Sequence, residues 1–171
     1  MTPPATARFA ARPVATVVGE IAAASGLVFV DDGVTTEAAE LDRAAFQPAL
    51  YGDRWAPVLI RFADATAVPE LAGEVAGMGG GTTYEDPRTR TRHYVSGLVY
   101  LDTQVLTAPS TADGPAYLPI LRHELGHLVG LGHVDDSTQL MHAVNSGFGT
   151  FQAGDLAGLA LLGQGPCAAG L

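Results

Sequence analysis

Three histidines and a glutamate fall within one short segment of the chain, and they constrain its fold more than any other feature. Residues 123–133 read HELGHLVGLGH, with histidines at positions 123, 127 and 133. On a helix, His123 and His127 are four residues apart and project from one face, so both imidazoles can bind one metal ion. The sequence therefore predicts a helix with metal ligands on one of its faces.

The neighbouring residues predict how this helix packs and where it ends. Its opposite face carries four leucines, Leu118, Leu121, Leu125 and Leu128. This pattern predicts burial of that face against a sheet. Gly130 follows His127 by three residues, where a positive φ would let the chain leave the helix. His133 could then supply a third nitrogen, and three histidines with one water make an open, catalytic kind of zinc site.

Glu124 directly follows the first histidine, so its carboxylate points beside the metal site and not into it. That placement suits a general base acting on metal-bound water. The alternative is an ordinary helix with surface histidines. Three of only five histidines in the chain fall in this segment, however, which favours the metal site.

Composition limits the classes of protein to which the chain can belong. The 171 residues include 9 basic and 18 acidic side chains, which gives a net charge of −9. This charge repels a phosphate backbone, so we expect no nucleic-acid partner. Apolar runs fall far short of the roughly 20 residues that a membrane helix needs, so we expect no membrane span. Cys167 is the one cysteine and cannot form a disulfide within the chain.

Hydrophobic spacing and turn residues predict an α/β (α+β) fold, with residues 1–12 as a loose N-terminal arm and residues 13–171 as a single domain. Strands are predicted at 27–31, 58–62, 71–78 and 94–101. Helices are predicted from Pro13 to the stop at Gly26, at 115–131 and at 152–162. The glycine-rich run GMGGGTT, residues 77–83, is predicted to be a flexible rim of a cleft.

The segment 123–133 resembles the extended zinc signature of the metzincin metallopeptidases, HExxHxxGxxH. Eight residues after His133, Met141 stands in the sequence QLMH and is similar to the methionine of that family's Met-turn, which lies beneath the zinc ligands. The run GDLAGL at 154–159 resembles the terminal helix of the matrixin branch, in which Asp155 would tie this helix to the Met-turn. Overall, the chain looks most like small actinobacterial matrixin-like peptidases.

This resemblance implies a metzincin-like fold with a twisted mixed sheet of about four to five strands, a long N-terminal helix, an active-site helix, a Met-turn and a C-terminal helix. It implies a zinc-dependent endopeptidase that uses a zinc-activated water, with Glu124 as general base. One catalytic Zn²⁺ would be bound by His123, His127 and His133. Met141 would support the imidazoles without binding the ion. A structural Ca²⁺ is compatible with the family but is not predicted.

The resemblance also implies a protein or peptide substrate, bound in extended form along an edge strand near residues 73–77. Residues 143–150 would form the wall of the pocket for the side chain that follows the cut. A secreted or cell-surface location is expected from the family likeness, although the first residues do not read as a signal peptide. Val134 stands where animal matrixins have serine, so the substrate preference stays open.

Two other functions fit parts of the sequence. A metzincin fold can be retained as a catalytically silent protein-binding module, although the base and all three ligands are present here. One bacterial family of zinc endoribonucleases shares the His-x3-His-x5-His spacing. That family lacks the glutamate found here as Glu124, and the net charge of −9 also disfavours RNA as a substrate.

Overall fold

The structure is a computed structural model that describes residues 5–111, 114–144, 147–165 and 168. Its helices are α1 (Ala5–Ser25), α2 (Pro48–Tyr51), α3 (Leu118–Val129) and α4 (Ala153–Leu162). Its strands are β1 (Leu59–Ala63), β2 (Gly77–Glu85) and β3 (Arg92–Asp102). Two short 3-10 helices span Pro69–Leu71 and Thr103–Thr107. The described residues thus form a mixed α+β fold, as the sequence predicts.

The three strands form one mixed sheet in the order β1-β3-β2. The central strand β3 is parallel to β1, with Leu98 opposite Leu59, and antiparallel to β2, with Leu101 opposite Gly77. The predictions of strands at 58–62 and 94–101 are confirmed with small shifts at their ends. β2 is an edge strand, because among the described residues its outer side has no paired strand.

The sheet is smaller than the predicted four to five strands because residues 27–31 do not join it. Among the described residues this segment has no ladder partner. Val28 and Val30 are 89% and 81% exposed, while Phe29 packs against the core. Alternating apolar residues show which side chains can be buried together, but they do not supply a neighbouring strand. The predicted strand at 71–78 is also wrong, because β2 begins only at Gly77.

The first helix differs from the prediction at its start. α1 begins at Ala5, so Pro13 lies inside the helix and does not open it, and residues 5–12 belong to the helix. Pro13 removes one backbone donor, but the alanine-rich sequence on both sides of it has high helix propensity. Among the described residues, no helix is both long and apolar enough to cross a membrane.

The main core lies between the helices and one face of the sheet. Val17 and Ile21 of α1 and Leu121 and Leu125 of α3 are at most 1% exposed and pack with Val99 and Leu101 of β3. Burying each such side chain contributes about 1.5–3 kcal/mol. A smaller cluster around Tyr100 packs on the other face of the sheet. The predicted leucine face of α3 is therefore its packing face.

A buried ion pair fixes the long connection between α1 and β1. Arg43 donates to both carboxylate oxygens of Glu37, at 2.7 and 3.0 Å, and to Oγ of Ser96 in β3, at 2.7 Å. Burial raises the pKa of Glu37, but hydrogen bonds from Arg43, Tyr51 and Gln47 outweigh this effect and leave the pKa below its ordinary value. This network ties residues 35–57 to the sheet.

Candidate metal centre

Helix α3 ends where the sequence predicts and returns the chain toward the histidines. Gly130 adopts φ 115°, in the left-handed region that disfavours other residues. Its N–H donates to the carbonyl of His127, and the N–H of Leu131 donates to the carbonyl of Gly126 at 2.9 Å. These bonds close the helix end. They also reverse the chain, so that His133 lies beside the two helical histidines.

The three predicted ligands converge on one point. Their Nε2 atoms are 3.1 Å apart in each of the three pairs, His123–His127, His123–His133 and His127–His133. A tetrahedral zinc ion about 2.0–2.1 Å from each nitrogen separates its ligands by about 3.3 Å. The observed spacing is within a few tenths of an ångström of this value. Among the described residues, these histidines are the one group of three or more side chains arranged to hold a metal ion.

The second nitrogen of two of these rings is held by a backbone carbonyl. Nδ1 of His123 donates to the carbonyl of Leu140 at 2.9 Å, and Nδ1 of His127 donates to that of Leu131 at 2.8 Å. A carbonyl oxygen only accepts, so each Nδ1 carries the proton and each Nε2 presents a lone pair to the other rings. Two facing lone pairs repel unless they share a cation. The donor set therefore fits a bound metal ion.

Two of the three histidines, His123 and His133, have a lowered pKa. Burial lowers the pKa of His123 and also that of His133, and the neighbouring His127 adds to both effects. A lower pKa favours the neutral imidazole, which is the form with a free lone pair. His123 and His127 are partly buried, whereas His133 is exposed. The cluster is therefore rigid on the side of α3 and open to solvent on the side of His133.

Glu124 lies next to this cluster and is almost completely buried, with 7% of the residue exposed. Its side chain packs against Gly77 of β2, where an added Cβ would be 3.0 Å from Cγ of Glu124. Burial raises the pKa of Glu124 to about 7, and among the described residues no cation offsets this effect. A carboxyl with a pKa near neutrality can both accept and release a proton at neutral pH.

The glycine-rich run is part of β2 and not a flexible rim, so that prediction is wrong. A Cβ added at Gly79 would lie 2.3 Å from the carbonyl oxygen of Glu124, and one at Gly81 would lie 3.0 Å from that of Leu128. Glycine at alternate positions lets the backbone of β2 contact the backbone of α3 directly. The spacing of two, which is the period of a strand face, is the signal that could have revealed this contact.

Met141 is buried beneath α3, and a carboxylate holds its turn in place. A Cβ added at Gly126 would lie 2.7 Å from Sδ of Met141, so this sulfur packs against the backbone of α3 one residue before His127. Asp155 of α4 accepts hydrogen bonds from the N–H groups of Leu140 and Met141 at 2.9 and 3.2 Å. The carbonyl that orients His123 is thereby fixed to α4, through the contact that the resemblance implies for Asp155.

Two further supporting residues were missed in the sequence. The amide oxygen of Gln139 accepts from the N–H of Gly154 at 2.8 Å. This bond joins the first turn of α4 to the segment just before Met141. Arg122, one residue before His123, has a buried side chain that forms an ion pair with the partly exposed Glu20 of α1. No local pattern marks these contacts, because their partners are distant in sequence. Cys167 and residues 145–146 of the predicted pocket wall lie outside the described residues.

The chain was compared with protein-family models and with curated proteins. No protein-family model matches it, and no curated protein is significantly similar to it. The chemistry of the site therefore rests on the geometry of its own residues.

Proposed function

We propose that the chain is a zinc-dependent endopeptidase of the metzincin type. One Zn²⁺ would be held by His123, His127 and His133, with Glu124 as general base. The observation that carries this proposal is the convergence of three imidazole nitrogens, 3.1 Å apart, beside a buried carboxylate. The Met-turn contacts of Leu140 and Met141 with Asp155 support the metzincin assignment.

The donor set favours zinc in a catalytic role. Three neutral imidazoles suit zinc, and among the described residues no fourth ligand closes the site, as would be expected for a structural ion. When bound, zinc would polarise the scissile carbonyl and lower the pKa of a coordinated water to about 7. A site with a free position is the kind that hydrolytic enzymes use.

Glu124 carries the proton in this scheme. Its carboxylate takes a proton from the attacking water, whose oxygen becomes bonded to the carbonyl carbon. It then delivers that proton to the amine nitrogen as the C–N bond breaks. The position of Glu124 is fixed from both sides, since it belongs to the packed helix α3 and its side chain lies against Gly77. Burial of the residue keeps bulk water away from this transfer.

The outer edge of β2 offers a binding mode for an extended peptide. Its backbone is paired on one side with β3, and among the described residues its other side is unpaired. A substrate strand can add to such an edge through main-chain hydrogen bonds. The edge strand is residues 77–85 and not the predicted 73–77. Because Glu124 packs against Gly77, the N-terminal end of β2 lies next to the proposed base.

Cleavage of an unbiased peptide library by the purified protein, with and without a chelator, tests this function. We expect internal cleavage that the chelator abolishes, together with one zinc per chain by elemental analysis. Zinc without cleavage of any peptide would instead support the silent binding module. RNA cleavage in a parallel assay, without peptide cleavage, would support the endoribonuclease alternative.

A further inference from the structure

Arg122 joins three parts of the chain from a buried position directly before the first histidine. Its Nε and Nη2 donate to the two carboxylate oxygens of Glu20 in α1, at 2.7 and 2.8 Å. Its Nη1 donates to the carbonyl of Gly149 at 2.6 Å. The Arg122 side chain is 9% exposed. The bidentate ion pair with Glu20 fixes the plane of the guanidinium, so that Nη1 points toward the carbonyl of Gly149.

Gly149 belongs to the segment that connects the Met-turn to α4. This segment starts beside the metal centre, where the carbonyl of Leu140 accepts from Nδ1 of His123. It ends at Phe151, which is 8% exposed and part of the core. Two consecutive side chains of α3 therefore contact this segment, His123 at the carbonyl of Leu140 and Arg122 at the carbonyl of Gly149.

Two large side chains of this segment are exposed and contribute little packing to it. Val144 and Phe148 are 68% and 38% exposed, and Gly147 adopts φ 78°. Such backbone, with few buried side chains, opens easily unless a specific contact fixes it. The bond from Arg122 to Gly149 is a contact of this kind, and it links the segment to the helix that carries the metal ligands.

We propose that Arg122 is a positioning residue for the substrate, with Glu20 orienting it. Through the carbonyl of Gly149, Arg122 sets the position of residues 147–151 relative to the metal centre. This inference rests on the proposed peptidase function and on the expected pocket wall at residues 143–150, which would contact the substrate residue that follows the cut. The clamp of Glu20, Arg122 and Gly149 therefore sets the affinity for that residue and leaves the chemical step unchanged.

Arg122→Lys tests the clamp, because lysine keeps the charge but cannot bond Glu20 and Gly149 at once. We expect KM for a cleaved peptide to rise about tenfold, because one hydrogen bond to a charged group is lost. The value of kcat should stay within about twofold. Amide hydrogen exchange in residues 147–151 should accelerate by about the same factor as KM. Zinc affinity should stay within about twofold, because the carbonyl that orients His123 belongs to Leu140 and not to Gly149.

Glu20→Gln is a milder second variant, which keeps a side chain of the same size and removes the charge. It should change KM and exchange in the same direction and by less. Arg54→Lys is the matched control, since Arg54 forms an ion pair with Asp32 at 3.0 Å but is 51% exposed. We expect wild-type KM, exchange and zinc affinity in this control.

Unchanged KM and exchange in Arg122→Lys and Glu20→Gln would overturn the proposal, as would a fall in kcat at constant KM. A lower melting temperature as the sole change would mean a structural role and would also overturn it. A wild-type protein that binds zinc but cleaves no peptide refutes the proposed function, and the substrate role of Arg122 with it. Wild-type exchange at 147–151 in variants of an active peptidase refutes the clamp alone.

Discussion

At the scale of single residues, the metal centre depends on hydrogen bonds that orient the rings. Nδ1 of His123 and of His127 each donate to a backbone carbonyl, so neither ring can turn without losing a hydrogen bond. Asp155 fixes the carbonyl of Leu140 by accepting from the N–H of Met141, which belongs to the same peptide unit. The nitrogens are therefore placed for a metal by the folded backbone itself, which reduces the cost of ordering them on binding.

Glu124→Gln should separate metal binding from catalysis. Glutamine has the same size but cannot accept the proton, so we expect one zinc per chain and a loss of about 10²–10⁴ in kcat. Elemental analysis and steady-state peptide cleavage measure the two properties on the same sample. Glu74→Gln, at an exposed carboxylate, is the control and should keep full activity. Full activity of the Glu124 variant would show that this residue is not the base.

The sequence predicted the three histidines because helical spacing and the helix stop at Gly130 act over a few residues. It did not predict the contacts of Arg122, whose partner Glu20 is 102 residues away. Hydrogen bonds between distant segments depend on how whole elements pack, and no local periodicity encodes them. The convergence of the three histidines could thus be predicted from the chain, whereas the residues that support them could not.

At the scale of elements, the position of α3 depends on its backbone contact with β2. The glycines at 79 and 81 leave no room for side chains between the strand and the helix. Because α3 carries two of the three histidines and Glu124, any shift of this helix moves the metal centre. The apolar face of α3 could be predicted from its leucines, but the strand that packs against it could not, because glycine has a low strand propensity.

Gly79→Val should therefore destabilise the protein, with Gly80→Val as the matched control. A Cβ at Gly79 meets the backbone of Glu124 at 2.3 Å, whereas nothing lies within 4 Å of one at Gly80. We expect the free energy of unfolding in urea to fall by about 1–3 kcal/mol or more for Gly79→Val. Gly80→Val should change it by less than about 1 kcal/mol. Equal stability of the two variants would contradict a direct strand–helix contact.

The alternating side chains of LVFVD predict a strand at 27–31 that does not form. The pattern describes one segment, but a strand exists only where a neighbour accepts and donates its backbone hydrogen bonds. Here Val28 and Val30 face solvent. By contrast, β1 and β3 matched their predictions because each lies beside a partner within the sheet.

At the scale of the whole molecule, the chain between α1 and β1 contains the short helix α2 and is joined to the sheet by a buried ion pair. Glu37 and Arg43 have side chains that are 7% and 4% exposed, and their pair is joined to Ser96 in the central strand. Removing one partner of such a pair leaves an uncompensated buried charge and lowers the free energy of unfolding by about 3–5 kcal/mol. This connection is therefore a major determinant of global stability.

The Glu37 network should make stability depend on pH. The pKa of Glu37 is lower in the folded protein than its ordinary value of 4.5, so its contribution is fully present above that value and is lost as the pH falls through the folded pKa. Glu37→Gln should be less stable than wild type at pH 7, and the difference should shrink in more acidic solution. Urea unfolding of both proteins at pH 7 and at a pH below the folded pKa of Glu37 measures this difference. A difference in stability that does not depend on pH would contradict the prediction.

The central claim is that the three histidines hold one zinc ion on which peptide cleavage depends. Its most direct test removes metal with a chelator and adds zinc back in steps while cleavage of a peptide is followed. We predict that cleavage is lost on removal and recovers to a plateau at one zinc per chain, and that His127→Ala does not recover. Cleavage that survives metal removal, or zinc bound at one per chain without any cleavage, would contradict the claim.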